Sequence, residues 1–120
     1  MLSIIQVNWP SVVRAGDNIT VECKVGSQLD VLADIKGGLE GAIIWPSNTP
    51  IWIPASAPFI SVYFSIVAPS HDMLLYLTPQ YFTDDGMGGG WWTDEGTGVV
   101  TIPVQVATDN EFNSLVATYA

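Results

Sequence analysis

Positive charge is scarce in this chain. Arg14, Lys24 and Lys36 are its only bases against twelve acids, and residues 37–120 contain no Lys or Arg at all. The first 36 residues carry three bases and four acids, so almost all of the formal net charge of −9 belongs to the remainder. A surface without cations cannot neutralise phosphates, the interaction that supplies most non-specific nucleic-acid affinity, so DNA and RNA are excluded as partners. Anionic membrane is disfavoured for the same reason. Cysteine is nearly absent too. Cys23 alone cannot close an internal disulfide or build a thiolate metal cluster, and it reads as a small buried apolar side chain.

A single histidine, His71, lies in a Pro-Ser-His-Asp turn signal, and no Gly-x-Ser-x-Gly elbow occurs, so a Ser-His-Asp hydrolase has no footing. Metal-hydrolytic and phosphate-cradling motifs are missing as well. The 41–71 stretch is free of formal charge and long enough to span a bilayer, but Pro46, Pro50, Pro54, Pro58 and Pro69 interrupt it. Membrane insertion by a helix is therefore not expected. The N-terminus has no base before Arg14 and no apolar run of signal-peptide length, which implies synthesis in a cytoplasm without a signal peptide if Met1 is the natural start.

What the chain does have is apolar content, 48% of residues with only 12% charged and a mean hydropathy of +0.34. At 120 residues it amounts to one domain, 1–120, with enough buried surface to fold without disulfides or metal. Alternation with period two dominates. Ile19, Val21, Cys23 and Val25 share one face of a strand over 18–25; Leu29, Val31, Ala33 and Ile35 share one over 29–36. Ile60, Val62, Phe64 and Ile66 alternate over 59–67, and Val100, Ile102, Val104 and Val106 over 100–106, where Pro103 marks an edge or a bulge. Further strands are read at 2–8, 42–45 with 51–53, and 73–78. Seven or eight short strands separated by Gly, Pro and Asp turn signals make an all-β chain, a single antiparallel β-sandwich. The segment 112–119 fits a strand, with a short helix capped by Thr108 and Glu111 as the alternative.

Two stretches stand out from this frame. The 79–98 segment has little strand character and reads as a long loop, in which Gly86, Gly88, Gly89 and Gly90 free the backbone to present Tyr81, Phe82, Trp91 and Trp92 to a neighbour. The competing expectation is that one of the adjacent tryptophans caps the core. Asp84, Asp85, Asp94 and Glu95 flank these aromatics, either as a Ca²⁺ site or as solvated charge that keeps an apolar loop soluble. The second stretch places Pro46, Pro50, Pro54 and Pro58 at every fourth residue around Trp45 and Trp52, as a non-aggregating edge or as a docking arm.

The segment from Trp9 to Val25, with its Pro10, its Ala15-Gly16-Asp17 turn and its alternating second strand, resembles the opening of immunoglobulin-like and fibronectin-like modules. Cys23 matches the first cysteine of the immunoglobulin pattern, although no second cysteine follows and Trp45 lies farther on than an immunoglobulin core Trp. The resemblance implies a disulfide-free immunoglobulin-like sandwich, with a jelly roll as the alternative. It brings no catalytic residues, since such modules serve adhesion, spacing and assembly.

These readings converge on a non-catalytic assembly module without a required cofactor, docking on a protein partner or on its own copies as a homo-oligomer. Its partner contacts would be Trp91, Trp92, Tyr81, Phe82, Trp45 and Trp52. By class it resembles virion proteins of bacteriophages (capsid decoration, head-fibre and tail-associated proteins), which would put it on a virion surface. The alternatives are a carbohydrate-binding sandwich, with the tryptophans stacked on sugars and Ca²⁺ on the acids, and an adhesin or surface-layer repeat cut from a longer extracellular protein.

Overall fold

A computed structural model describes residues 1–39, the backbone of 44–45, and residues 50–105. The described residues form nine strands in chain order: β1 (Leu2–Asn8), β2 (Asn18–Ser27), β3 (Val31–Leu39), β4 (Ile44–Trp45), β5 (Pro50–Ile53), β6 (Ile60–Val67), β7 (Met73–Asp84), β8 (Gly90–Asp94) and β9 (Gly98–Ile102). They form two antiparallel sheets, ordered β1-β2-β6-β4 and β5-β3-β7-β8, with β9 also paired to β7. The described residues contain no helix, and hence none long and apolar enough to cross a membrane. The segments 42–43, 46–49 and 112–119, with Val106, lie outside the described residues.

The sheets form because alternation gives each strand one apolar face, and they pack because two such faces can cover each other. Val21, Cys23 and Val25 from β2 and Phe64 and Ile66 from β6 meet Ala33 and Ile35 from β3, Ile53 from β5, Leu75 and Leu77 from β7, and Ile102 from β9 in one core. Cys23 is fully buried within it, and loss of water around the thiol pushes its pKa up to about 11. Leu29, expected on the inward face, stands in a turn before β3 and is exposed. Ser27 accounts for this: its Oγ accepts from Leu29 N at 3.2 Å, a local bond that turns the chain away from the strand.

Two connections close the body. Gly16, with φ +87°, sits in a turn where Arg14 N donates to Asp17 Oδ2 at 2.9 Å, a left-handed position that an L side chain rarely adopts. Beside it, Arg14 bridges Gln105 in parallel, with Ala15 N donating to Gln105 O at 2.9 Å and Gln105 N to Val13 O at 2.8 Å. The segment after β9 is thereby tied to the segment between β1 and β2. β9 itself ends at Ile102, so Pro103 follows the ladder and removes no bond from it.

β7 is the longest strand of the described residues and carries a proline, Pro79, although it has neighbours on both sides. Pro79 O accepts from Glu95 N at 2.9 Å, so the side of Pro79 that lacks an N–H faces 95–97, where the partner of β7 changes from β9 to β8. The missing donor falls at a break in the ladder.

Phe64 is completely buried between the sheets, so Phe64→Ala should lower unfolding free energy by about 3 to 5 kcal/mol, read from urea denaturation followed by circular dichroism.

Candidate functional site

The stretch expected to be a long loop is mostly strand. β7 runs through Asp84, β8 begins at Gly90, and the connection between them is only 85–89. Tyr81, Phe82 and Thr83 on one strand and Trp91, Trp92 and Thr93 on the other are the aromatic and β-branched residues that suit a pleated surface, and they pair in register. The glycines between them make a turn: Gly86 and Gly88 have φ of +78° and +89°, and Asp85 N donates to Gly89 O at 3.0 Å.

This hairpin outruns the body. β3 pairs with β7 only as far as Ala33↔Tyr81, and from Phe82 to Asp84 β7 has β8 as its paired neighbour. Neighbouring residues on a strand point to opposite faces, yet Trp91 is 55% exposed and Trp92 40% exposed. Both faces of the arm are therefore bare, and neither tryptophan caps the core. Tyr81, one of the expected contact residues, belongs to the body instead, half-buried against the core.

Phe82 and Trp92 pair directly across the arm, their ring centroids 5.3 Å apart and their planes tilted by 57°. Phe82 also covers Gly90. A Cβ at residue 90 would lie 2.1 Å from Thr83 O and 2.5 Å from Phe82 Cζ, so the arm closes only with glycine there.

The outward face of the second sheet extends this aromatic pair. Trp52 on β5, 57% exposed, stands opposite Leu32 on β3, itself 36% exposed, and Leu32 is one residue past the last β3–β7 pair on the same side as Phe82. Trp52, Leu32, Phe82 and Trp92 thus line up across four neighbouring strands. Beside them runs a polar row, Asp34 opposite Gln80 and Gln80 opposite Asp94. Asp34 and Gln80 are each only 5% exposed, and Gln80 Nε2 donates to Asp94 Oδ1, which ties the root of the arm to the body. The backbone of Trp45 lies elsewhere, in β4 at the edge of the first sheet, whereas Trp52 belongs to the second.

The four carboxylates read as a possible Ca²⁺ set do not converge. Asp84 and Asp85 sit at the tip, where Asp84 Oδ1 accepts from Gly86 N at 2.8 Å and Asp85 Oδ1 from Met87 N at 2.7 Å and Gly89 N at 3.2 Å. Asp94 and Glu95 sit at the root. Asp94 accepts from Gln80, and Glu95 Oε1 lies 3.5 Å from the Met1 amino group. Strand rise over Gly90–Asp94 separates the two pairs by roughly 14 Å. Among the described residues no three His, Cys, Asp or Glu side chains are placed to hold a metal ion.

A second polar group, not anticipated from the sequence, occupies the outward face of the first sheet. Glu22 accepts from Asn8 Nδ2 at 2.8 Å, Ser61 Oγ at 2.9 Å and Tyr63 OH at 3.3 Å, donors on both strands flanking β2. The Asn8 and Ser61 bonds hold its carboxyl below the ordinary range, with the Lys24 charge adding to them. Register alone produces the cluster, since Glu22 pairs with Asn8 on one side and Tyr63 on the other.

Comparison with protein-family models and with curated protein sequences finds no match for this chain.

Two outcomes follow from this geometry. Gly90→Ala should abolish the near-ultraviolet circular dichroism of the Phe82–Trp92 pair while far-ultraviolet strand signal and cooperative unfolding of the body persist. For Glu22, a carboxyl depressed on folding stabilises the native state above its unfolded value near 4.5 and loses that contribution as pH falls below it. Glu22→Gln should therefore flatten the decline of melting temperature with acidification, whereas an unchanged slope would show that these bonds add nothing.

Proposed function

We propose that this chain is a non-catalytic docking module that attaches to a larger assembly through the β7–β8 arm. The observation that carries the reading is the exposure of Trp91 and Trp92 on opposite faces of one hairpin. Two indoles left in water cost solvation that a partner's surface can relieve, and buried Trp is the residue type most often found to dominate binding energy. A partner that covered both would enclose the arm in a groove, as an assembly with neighbouring subunits provides. Surface-exposed virion subunits are one assembly of this kind.

An immunoglobulin-like arrangement, part of the same proposal, is supported by the order of the strands. In constant-type immunoglobulin domains the strands A, B, E and D form one sheet and C, F and G the other. On that reading β1-β2-β6-β4 would take the first set of positions, β3-β7 with β8 and β9 the second, and β5 would be an added strand beside β3. The departure is in the edges: β4 precedes β5 in the chain, whereas an added strand beside C would precede D. The arm then corresponds to the F–G hairpin, one of the end loops that immunoglobulin variable domains use for binding.

Mass photometry and size-exclusion chromatography of the purified chain test the proposal. The wild type should form oligomers or bind a particle, and Trp91→Ala with Trp92→Ala should weaken that association by about 2 kcal/mol or more while the melting temperature moves little. A wild-type chain that stays monomeric and binds no particle overturns the proposal. Unfolding of the double variant would assign the arm to the fold instead.

A further inference from the structure

The outward face of the second sheet also carries information about the partner's chemistry. Trp52, Leu32 and Trp92, all exposed, and the half-buried Phe82 form an apolar row across four strands. On the arm, residues two apart share a face, so Asp84 flanks Phe82 on the tip side and Asp94 flanks Trp92 on the root side, and both carboxylates are exposed. The aromatic pair thus lies between two anions. Lys36 is the one base on this strand face, and it lies beyond Asp34 from the row, opposite Thr78. Of the other two bases, Lys24 belongs to the first sheet and Arg14 to the segment between β1 and β2.

We infer that this face receives a cationic, arginine-bearing segment of the partner protein, with guanidinium groups seated on Trp92, Phe82 and Trp52 and paired to Asp84 and Asp94. The inference rests on the docking reading and names the chemistry of what docks. Indole and phenyl faces attract cations through the ring quadrupole, and Arg stacks on them better than Lys because its guanidinium is planar and weakly hydrated. Aromatic residues and Arg are also the types enriched where protein interfaces are buried. Among the described residues such a contact occurs within the chain itself, where Lys24 Nζ of β2 lies 4.6 Å above the ring centroid of Phe59, the residue before β6. Complementary charge would speed the encounter, and the aromatic row would hold the complex.

Fluorescence anisotropy with labelled ten-residue peptides tests this, using oligo-arginine, oligo-lysine, oligo-glutamate and a neutral Gly-Ser sequence. Oligo-arginine should bind more tightly than oligo-lysine, the glutamate and neutral peptides should not bind, and affinity should fall as salt rises. Trp52→Ala with Trp92→Ala keeps the net charge and should weaken oligo-arginine binding by about tenfold. Asp84→Asn with Asp94→Asn should weaken it further and flatten the salt dependence. Equal binding by the tryptophan variant would reduce the effect to general attraction between an acidic protein and a polycation, and would overturn the inference. So would salt-insensitive retention on a neutral polysaccharide such as xylan, lost in the same variant, because it would assign the row to sugar stacking. A chain that assembles in mass photometry but ignores oligo-arginine keeps its docking function and loses only this choice of partner.

Discussion

The pairing of β7 governs the molecule. It is the one strand that meets β3 along one side and both β8 and β9 along the other, and it continues three residues past the end of the β3 ladder. Its lower half supplies Met73, Leu75 and Leu77 to the core, fully buried and anchored by β9. Its last three residues, Phe82 to Asp84, run past the β3 ladder and become the arm. A rigid element rooted in the core and bare at its far end is the arrangement that a docking hairpin needs, because the energy of ordering it has already been spent in folding.

The root of the arm is correspondingly well secured. Gln80 and Asp94 are joined across β7 and β8, Glu95 N is bound to Pro79 O, and Asp34 is buried beside Gln80. At the tip, three backbone amides are satisfied by Asp84 and Asp85, so those carboxylates shape the turn. On the docking reading, the same acids would also keep a hairpin with two exposed indoles in solution. Their structural and electrostatic roles are compatible, since a carboxylate that accepts from a backbone amide retains its negative charge.

Much of the body was legible in the chain itself. Ile60, Val62, Phe64 and Ile66 alternate, and all four face inward; the same holds for Ile19, Val21, Cys23 and Val25. Such strands are readable because one face meets core and the other water. The arm was misread for the complementary reason. With both faces exposed it has no apolar-polar alternation, and its cluster of glycines looks like a loop although the flanking Thr and aromatic residues favour pairing. Leu29 was misplaced because a local Ser27 bond, invisible to a period-two count, turned it out of the strand.

By itself, the sequence determined that this is an all-β chain with an apolar core and an acidic composition, because alternation and net charge are properties of the chain as written. Only the tertiary structure decided which aromatics act together. Trp52, Leu32, Phe82 and Trp92 are far apart in the chain and become one row through the β5-β3-β7-β8 order, while Trp45, closest in sequence to Trp52, goes to the other sheet. Strand order and register are set by how the two apolar faces cover each other, a long-range condition that no local pattern encodes.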